Sequence, residues 1–195
     1  MRKRMQVEDN PVGYGWISIA LHWTTGIIIM VMLVVGSLTV TTSQVEWARM
    51  LALHTTIGVL AYPLLWARIF WRLKKGHPGP LPTQSPAFHL LGRFTHYVML
   101  GGLGLMLLSG PATAWSAGYP VVVLGFSVLA SGEPHPAIFQ MASLLHHAVG
   151  LGLLLLIVLH VAAAIKHMAV DRDGTIEKII LAGPELTDAS TSNQL

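Results

Sequence analysis

Four long stretches of the chain are almost free of charged residues and predict membrane-crossing helices. They cover residues 16–40, 50–71, 94–115 and 141–165. A helix of about 20 apolar residues crosses a bilayer, so each stretch is long enough to span it. The apolar stretch at residues 119–130 is too short to cross as a helix, and we expect it to lie at the membrane interface.

The composition also places the chain among membrane proteins. Charged residues make up 11% of the 195 residues and hydrophobic residues 53%, whereas soluble domains carry about 25% charged residues. We therefore predict an all-α membrane protein, a bundle of four transmembrane helices within residues 1–182, followed by a polar tail at residues 183–195. Cysteine is absent, which excludes disulfides, iron–sulfur clusters and haem attached through cysteine.

The basic residues are distributed unevenly between the two sides of such a bundle. Of the twelve lysines and arginines, only Arg49 falls on the side away from the termini. The others are Arg2, Lys3, Arg4, Arg68, Arg72, Lys74, Lys75, Arg93, Lys166, Arg172 and Lys178. The positive-inside rule predicts that both termini are cytoplasmic. Because topology accounts for these charges, the pI near 9.5 does not indicate a nucleic-acid partner.

Histidines inside the apolar stretches fall at two matching depths. His22 and His160 lie near the cytoplasmic ends of the first and fourth stretches, and His54 and His146 lie near the outer ends of the second and fourth. Positions 146 and 160 are separated by a helical rise of about 21 Å and share nearly one face. Two pairs at two depths predict two irons, each bound by two imidazoles. Without thiolates, the cofactor that suits such sites inside a bundle is haem b.

Residues near these histidines fit a flat, anionic cofactor. Arg68 returns to the face of His54 at the cytoplasmic level, where a haem propionate would need a cation. Glycines that follow a histidine by four residues leave room for the macrocycle: Gly26, Gly58 and Gly150. A ligating imidazole usually donates its second N–H to an oxygen. Nearby hydroxyls are those of Thr24, Thr25, Thr55 and Thr56.

The remaining histidines are expected to have other roles. His77 and His135 lie in predicted loops, where we expect them to be solvated. His147 is about 100° around the helix from its neighbour His146 and so points elsewhere. For any one histidine taken alone, the alternative is a polar side chain hydrogen-bonded to a neighbouring helix.

Several motifs carry a resemblance to a known family. The motifs are "ALHWTTG", "LALHTTIG", "FTHYVMLGGLGLMLLSG", "SLLHHAVGLGLLLLIVLHVAAAIKH" and "DRDGTIEKII". Together they resemble the bacterial cytochrome b561 family of four-helix dihaem membrane proteins, over residues 13–182. The resemblance implies His22 with His160 on the inner haem and His54 with His146 on the outer one. The family usually has one histidine where "HH" stands here, so His147 stays an alternative to His146.

The resemblance further implies a bacterial inner-membrane protein that exchanges electrons with the quinone pool. The other side would meet a periplasmic partner or superoxide, and a superoxide:ubiquinone oxidoreductase is one hypothesis. The alternative is a cytochrome b subunit of a hydrogenase or dehydrogenase complex. A non-haem metal transporter is a third class, but the stretches lack the carboxylates of an ion path. A quinone site is expected at the inner side, with His96, His167 and Arg93 as its candidate residues.

Overall fold

The computed structural model describes residues 6–11, 13–41, 43–79 and 86–182. Four long helices follow one another, each long and apolar enough to cross a membrane. They are α1 (Trp16–Thr41), α2 (Gln44–Lys75), α3 (Pro86–Ser116) and α4 (Pro136–Lys166). The predicted all-α, four-helix membrane bundle is thus confirmed. The predicted polar tail at residues 183–195 and the cations Arg2, Lys3 and Arg4 lie outside the described residues.

Helices α2 and α3 extend beyond the charge-free stretches that predict them. Basic residues in the last turn of α2 do not end the helix, because cations at a helix C-terminus interact favourably with its dipole. The helix ends instead at Gly76, whose φ of +67° is a conformation that favours glycine and whose N–H donates to Arg72 O at 2.9 Å. Helix α2 therefore continues beyond the apolar stretch that predicts it, to Lys75.

The short apolar stretch at residues 119–130 forms a β-hairpin. Strand β1 (Val121–Val123) pairs antiparallel with β2 (Phe126–Leu129), and Val123 lies opposite Phe126. Leu124 and Gly125 connect the strands with φ values of +51° and +85°, as a two-residue type I′ turn requires. Strand β1 also contacts α2. The stretch does not cross the bundle as a helix, in line with its length.

The four helices pack as two helical hairpins. Helix α1 lies along α2 and α3 lies along α4, whereas α1 and α4 have almost no close backbone contact among the described residues. A small apolar core joins α2 and α3, formed by Ala61, Leu65, Ile69, Leu103 and Leu107. Large apolar side chains such as Ile27, Leu108 and Leu151 point outward, which suits a surface covered by lipid.

The two ends of the bundle differ. We call the end with residues 6–11 and 13–15, the segment after α2 and residues 172–182 the terminal side, and the end with β1 and β2 the β side. Helix α4 runs on at the terminal side as a π-helical turn (His167–Asp171), which Arg172 ends at a φ of +49°. A short helix α5 (Glu177–Ile180) follows.

An N-terminal clasp, residues 6–11 and 13–15, is bound to α2 at the terminal side. Asp9 forms a buried ion pair with Arg72 at 3.4 Å and accepts hydrogen bonds from Ser18 Oγ and Gly15 N–H at 2.7 and 2.8 Å. Trp71 Nε1 donates to the same Ser18 hydroxyl at 2.7 Å. The clasp therefore joins the start of α1 to the end of α2.

Candidate cofactor-binding site

One pair of imidazoles lies toward the β side, between α2 and α4. The ring centres of His54 and His146 are 6.1 Å apart, with an angle of 85° between the rings. Ser109 of α3 donates its hydroxyl proton to Leu105 O at 2.7 Å and lies 3.0 Å from His146 Nδ1. Because the hydroxyl proton is already donated to Leu105 O, Ser109 Oγ accepts a hydrogen bond from Nδ1–H of His146, and the lone pair of His146 is then on Nε2.

Two glycines allow this pair to fit. A Cβ on Gly36 of α1 would lie 3.2 Å from His54 Cε1, and one on Gly110 of α3 would lie 3.3 Å from His146 Cε1. Both distances are tighter than ordinary van der Waals contact, so each ring packs onto a bare helix backbone. Neither glycine was predictable from the sequence, because a glycine on a different helix has no fixed spacing to the histidine it touches.

The glycines that were expected to make room have mixed surroundings. Gly26 has nothing within 4 Å of the position of a Cβ, so space is open beside it. A Cβ on Gly58 would instead meet Met32 Cε at 3.3 Å, and one on Gly150 would meet Met106 Cε at 3.7 Å. Methionine side chains, which are flexible, therefore fill the space beside two of the three glycines.

The second pair of imidazoles lies toward the terminal side, between α1 and α4. The ring centres of His22 and His160 are 6.3 Å apart. Arg68 of α2 places Nη2 at 3.4 Å from His22 Nδ1, and its Nη1 is buried without a hydrogen-bond partner among the described residues. A guanidinium buried in this way lacks an anion. Arg68 thus fits the role predicted for it, that of a cation beside a cofactor carboxylate.

The spacing of both pairs fits a metal between the rings. A first-row metal lies about 2 Å from an imidazole nitrogen, and the ring centre is roughly 1 Å further, which gives roughly 6 Å between ring centres. The observed separations are 6.1 and 6.3 Å. Among the described residues, neither α1 nor α2 has more than a few close backbone contacts with α4, so side chains span the distance between the helical hairpins at both levels. The residues present therefore fit an iron porphyrin at each level.

The threonines that lie near His22 and His54 in sequence form hydrogen bonds with their own helices. Thr25 and Thr55 donate to carbonyls of their own helices, Leu21 O and Leu51 O, which is a common use of threonine in helices. At His146 the hydroxyl beside Nδ1 is that of Ser109, on a different helix. Sequence spacing within one helix could not reveal a hydroxyl contributed by another.

The paired histidines at positions 146 and 147 point in different directions. His146 turns toward His54, whereas His147 is exposed and its Nδ1 lies 2.7 Å from Ser143 O in its own helix. The geometry favours His146 as the inward residue of the pair. His135 is exposed, and its ring stacks on Trp115 with centres 4.7 Å apart.

Further imidazoles extend the terminal-side pair toward the α2–α3 connection. His96 of α3 lies 5.1 Å from His160 between ring centres, and His77 stacks on His96 at 5.5 Å with an angle of 4°. Tyr97 contacts His77 at 5.2 Å, edge to face. The expectation that His77 is solvated is therefore wrong: the connection after Gly76 folds back, and the ring is half-buried.

His77 is also held in its neutral form. Burial lowers its pKa to about 3, assisted by the positive charge of Arg72, by His96, and by Arg93 and Arg68.

Of the three residues proposed for a quinone site, His96 lies against His160 of the terminal-side pair. Arg93 is exposed and lies close enough to act on His77.

His167, the third of these residues, is bound to carboxylates in the C-terminal segment. Its Nδ1 lies 2.7 Å from Asp173 Oδ2 and 3.3 Å from Asp171 Oδ2. Burial alone would raise the pKa of Asp173, but hydrogen bonds from Thr175 and His167 outweigh it and lower that pKa. Asp171 is neutralised by Lys166 Nζ at 2.6 Å. No ring contact joins His167 to His96 within the part of the chain that the structure describes.

The chain is similar in sequence to a known protein family and to a known bacterial protein. The sequence model of the family described as prokaryotic cytochrome b561 matches residues 13–181. A protein of Escherichia coli (strain K12) named cytochrome b561 homolog 2 is 33% identical over 182 residues, which covers 90% of this chain and 95% of that protein. The match therefore includes all four helices and both histidine pairs.

Proposed function

The chain belongs to the prokaryotic cytochrome b561 family, and from that premise we propose that it binds two haems b and passes electrons between the periplasmic side and the quinone pool. Membership makes it a membrane electron-transfer protein with haem b as its cofactor. The proposal adds the number of haems, their ligands and the electron acceptor. It also places the protein in the bacterial inner membrane with both termini in the cytoplasm.

The observation that carries the proposal is the presence of two imidazole pairs at two levels of α4. His146 and His160 both belong to this unbroken helix, in which fourteen residues rise about 21 Å. Each faces a histidine of the other helical hairpin, His54 or His22, at the ring separation that two axial ligands require. We propose these four residues as the axial ligands.

Haem b, when bound, supplies reversible one-electron redox chemistry. The chain's own residues orient and tune it. Ser109 holds the proton of His146 on Nδ1, which directs Nε2 into the space between the helical hairpins. Arg68 supplies positive charge where a propionate would lie. If these histidines hold the two haems, they would leave no coordination position for a substrate, and electrons would be exchanged with a substrate at the edge of each site.

We place ubiquinone at the terminal side, with His96, His167 and Arg93 as candidate contacts. Reduction of a quinone consumes protons, and histidine exchanges protons near neutral pH. Asp173 accepts from His167 Nδ1, so Nε2 is left to exchange a proton with a substrate. The electron donor on the β side would be superoxide or a periplasmic protein, and the described connections on that side contain no further domain.

The proposal is tested by counting haems in the purified protein and in histidine variants. We expect two haems b per chain in a pyridine haemochrome assay, extractable with acid acetone because no cysteine holds them. His54→Ala or His146→Ala should remove one haem, and His22→Ala or His160→Ala should remove the other. Loss of an axial ligand leaves the iron with a single protein bond, so each variant should retain about one haem per chain.

His147→Ala is the matched control, since His147 is adjacent to a proposed ligand but exposed. It should keep two haems with unchanged spectra. One haem or none in the wild-type protein would refute the dihaem proposal, and a haem lost from His147→Ala but kept in His146→Ala would move the ligand by one residue.

A further inference from the structure

Two buried nitrogen atoms at the terminal side have no hydrogen-bond partner among the described residues. They are Nη1 of Arg68 and Nδ1 of His77. A buried polar atom without a partner costs free energy that a folded protein usually avoids. Arg68 can only donate a hydrogen bond, and a neutral imidazole can place its one proton on Nδ1 and donate as well. Both atoms therefore suit a hydrogen-bond acceptor that the described residues do not supply.

Ring contacts place His77 beside the terminal-side imidazole pair. His77 stacks on His96, and His96 in turn contacts His160. Tyr97 also contacts His77, with the two rings nearly perpendicular. This packing fixes the ring of a loop residue in one orientation, next to the level at which we propose a haem.

The charge of this region favours an anion. Arg68, Arg72 and Arg93 all lie close enough to His77 to lower its pKa. The carboxylate of Asp9 is engaged by Arg72, Ser18 and Gly15 in the N-terminal clasp. Within the described residues, Arg68 therefore has no carboxylate in ion-pair distance to balance it. Because burial keeps His77 neutral, it would contribute a hydrogen bond and Arg68 the opposite charge.

We propose that His77 and Arg68 together bind a carboxylate of the terminal-side haem, with His96 as the surface against which His77 is positioned. This inference rests on the proposed dihaem function and adds His77, a loop residue, to the cofactor site. The shared chemistry is that of an oxyanion, which a haem propionate or the phosphate of a lipid headgroup could supply. The experiment must separate these two sources.

The test uses the full-length protein with its haems bound. His77→Phe keeps an aromatic ring for stacking on His96 and removes the N–H. We measure haem transfer to excess apomyoglobin and the reduction potentials of both haems. One of the two haems should transfer about tenfold faster or more, as expected for loss of a hydrogen bond to a charged group, and its potential should shift. His77→Gln restores an N–H donor and should bring the transfer rate back toward that of the wild-type protein.

The matched control is His135→Phe, another loop histidine stacked on an aromatic ring, at the opposite end of the bundle. It should leave both haems unchanged. Each measurement is made in delipidated detergent solution and again with added phosphatidylglycerol. An effect of His77→Phe that is the same in both supports the haem carboxylate. An effect that requires the added lipid assigns the anion to a headgroup and overturns the inference.

Different results would contradict the role of His77 and the proposed dihaem function. Unchanged transfer rates and potentials in His77→Phe, with two haems per chain, would remove His77 from the site and leave the dihaem proposal intact. A wild-type protein with fewer than two haems would refute the proposed function instead.

Discussion

At the scale of single residues, the second nitrogen of each imidazole decides how the ring can bind a metal. Ser109 accepts from Nδ1 of His146, which leaves Nε2 unprotonated and ready to ligate. At His22 the neighbour is Arg68, which can only donate. An imidazole bound through Nε2 also carries its proton on Nδ1, so the two groups would then present hydrogen atoms to each other. Arg68 should therefore turn from His22 toward the cofactor carboxylate when haem binds.

The hydrogen bond at His146 leads to a prediction about Ser109→Ala. An acceptor on Nδ1–H makes the imidazole a stronger donor to iron, and loss of such a partner typically weakens metal affinity by about 10- to 100-fold. We expect the β-side haem to bind less tightly and its reduction potential to rise, while the other haem is unchanged. Redox titration of the purified protein measures both values.

Ser37→Ala is the control for Ser109→Ala. Ser37 makes the same bond to its own helix, to Leu33 O at 2.8 Å, but lies on an exposed face. Equal potentials in all three proteins would show that Ser109 does not tune the site.

At the scale of helices and strands, the long helices were predictable from the sequence, whereas the β-hairpin and the segment after α2 were not. The spacing of His146 and His160 places both rings because α4 is unbroken between them. The β-hairpin was not predictable, because Leu124–Gly125 is not a residue pair that typically signals a two-residue turn. The position of His77 depends on the path of the backbone after Gly76, which is not helical and so cannot be derived from helical periodicity. Contacts between helices, such as Gly110 with His146, likewise have no signature in spacing.

The close approach of α3 to α4 predicts the effect of Gly110→Ala. The new Cβ would lie 3.3 Å from His146 Cε1, so the imidazole must move by a few tenths of an ångström. We expect the β-side haem to bind less tightly and its low-temperature absorption spectrum to change. This effect on the haem should appear even though alanine stabilises a helix relative to glycine by about 1 kcal/mol.

Gly152→Ala on α4 is the matched control, because nothing lies within 4 Å of its Cβ position. It gains the same helix propensity without touching a histidine. If Gly110→Ala and Gly152→Ala have identical haem spectra, the His146 ring has more freedom than the structure indicates.

At the scale of the whole molecule, the two helical hairpins are joined by the apolar core between α2 and α3 and by contacts at the ends of the bundle. At the β side, β1 reaches from the α3–α4 connection to α2, whereas at the terminal side the N-terminal clasp holds α1 to α2 within the first hairpin. The C-terminal segment adds two further links, since Trp23 donates to Ile179 O and Lys178 donates to Gly79 O. Helices α1 and α4, which carry the terminal-side histidine pair, have almost no close backbone contact among the described residues.

The N-terminal clasp should therefore contribute strongly to stability. Asp9→Ala leaves the guanidinium of Arg72, whose side chain is 4% exposed, without its carboxylate. Removing one partner of a buried ion pair typically costs about 3–5 kcal/mol, so we expect a clearly lower melting temperature in detergent. Glu8→Ala is the control, because Glu8 pairs with Lys75 at the surface, and its melting temperature should stay near that of the wild-type protein. Equal melting temperatures for both variants would contradict this role of the clasp.

The distribution of charge over the whole bundle predicts its orientation in the membrane. All described lysines and arginines except Arg49 belong to segments at the terminal side, and the positive-inside rule retains such segments in the cytoplasm. Alkaline phosphatase fused to the C-terminus should therefore be inactive, and a fluorescent protein fused there should be bright. Phosphatase fused after Ser131, between β2 and α4, should be active in the periplasm and serves as the positive control. The reverse pattern would invert the bundle, which would put the Arg68–His77 cluster at the periplasmic face and the Ser109-supported histidine pair at the cytoplasmic one.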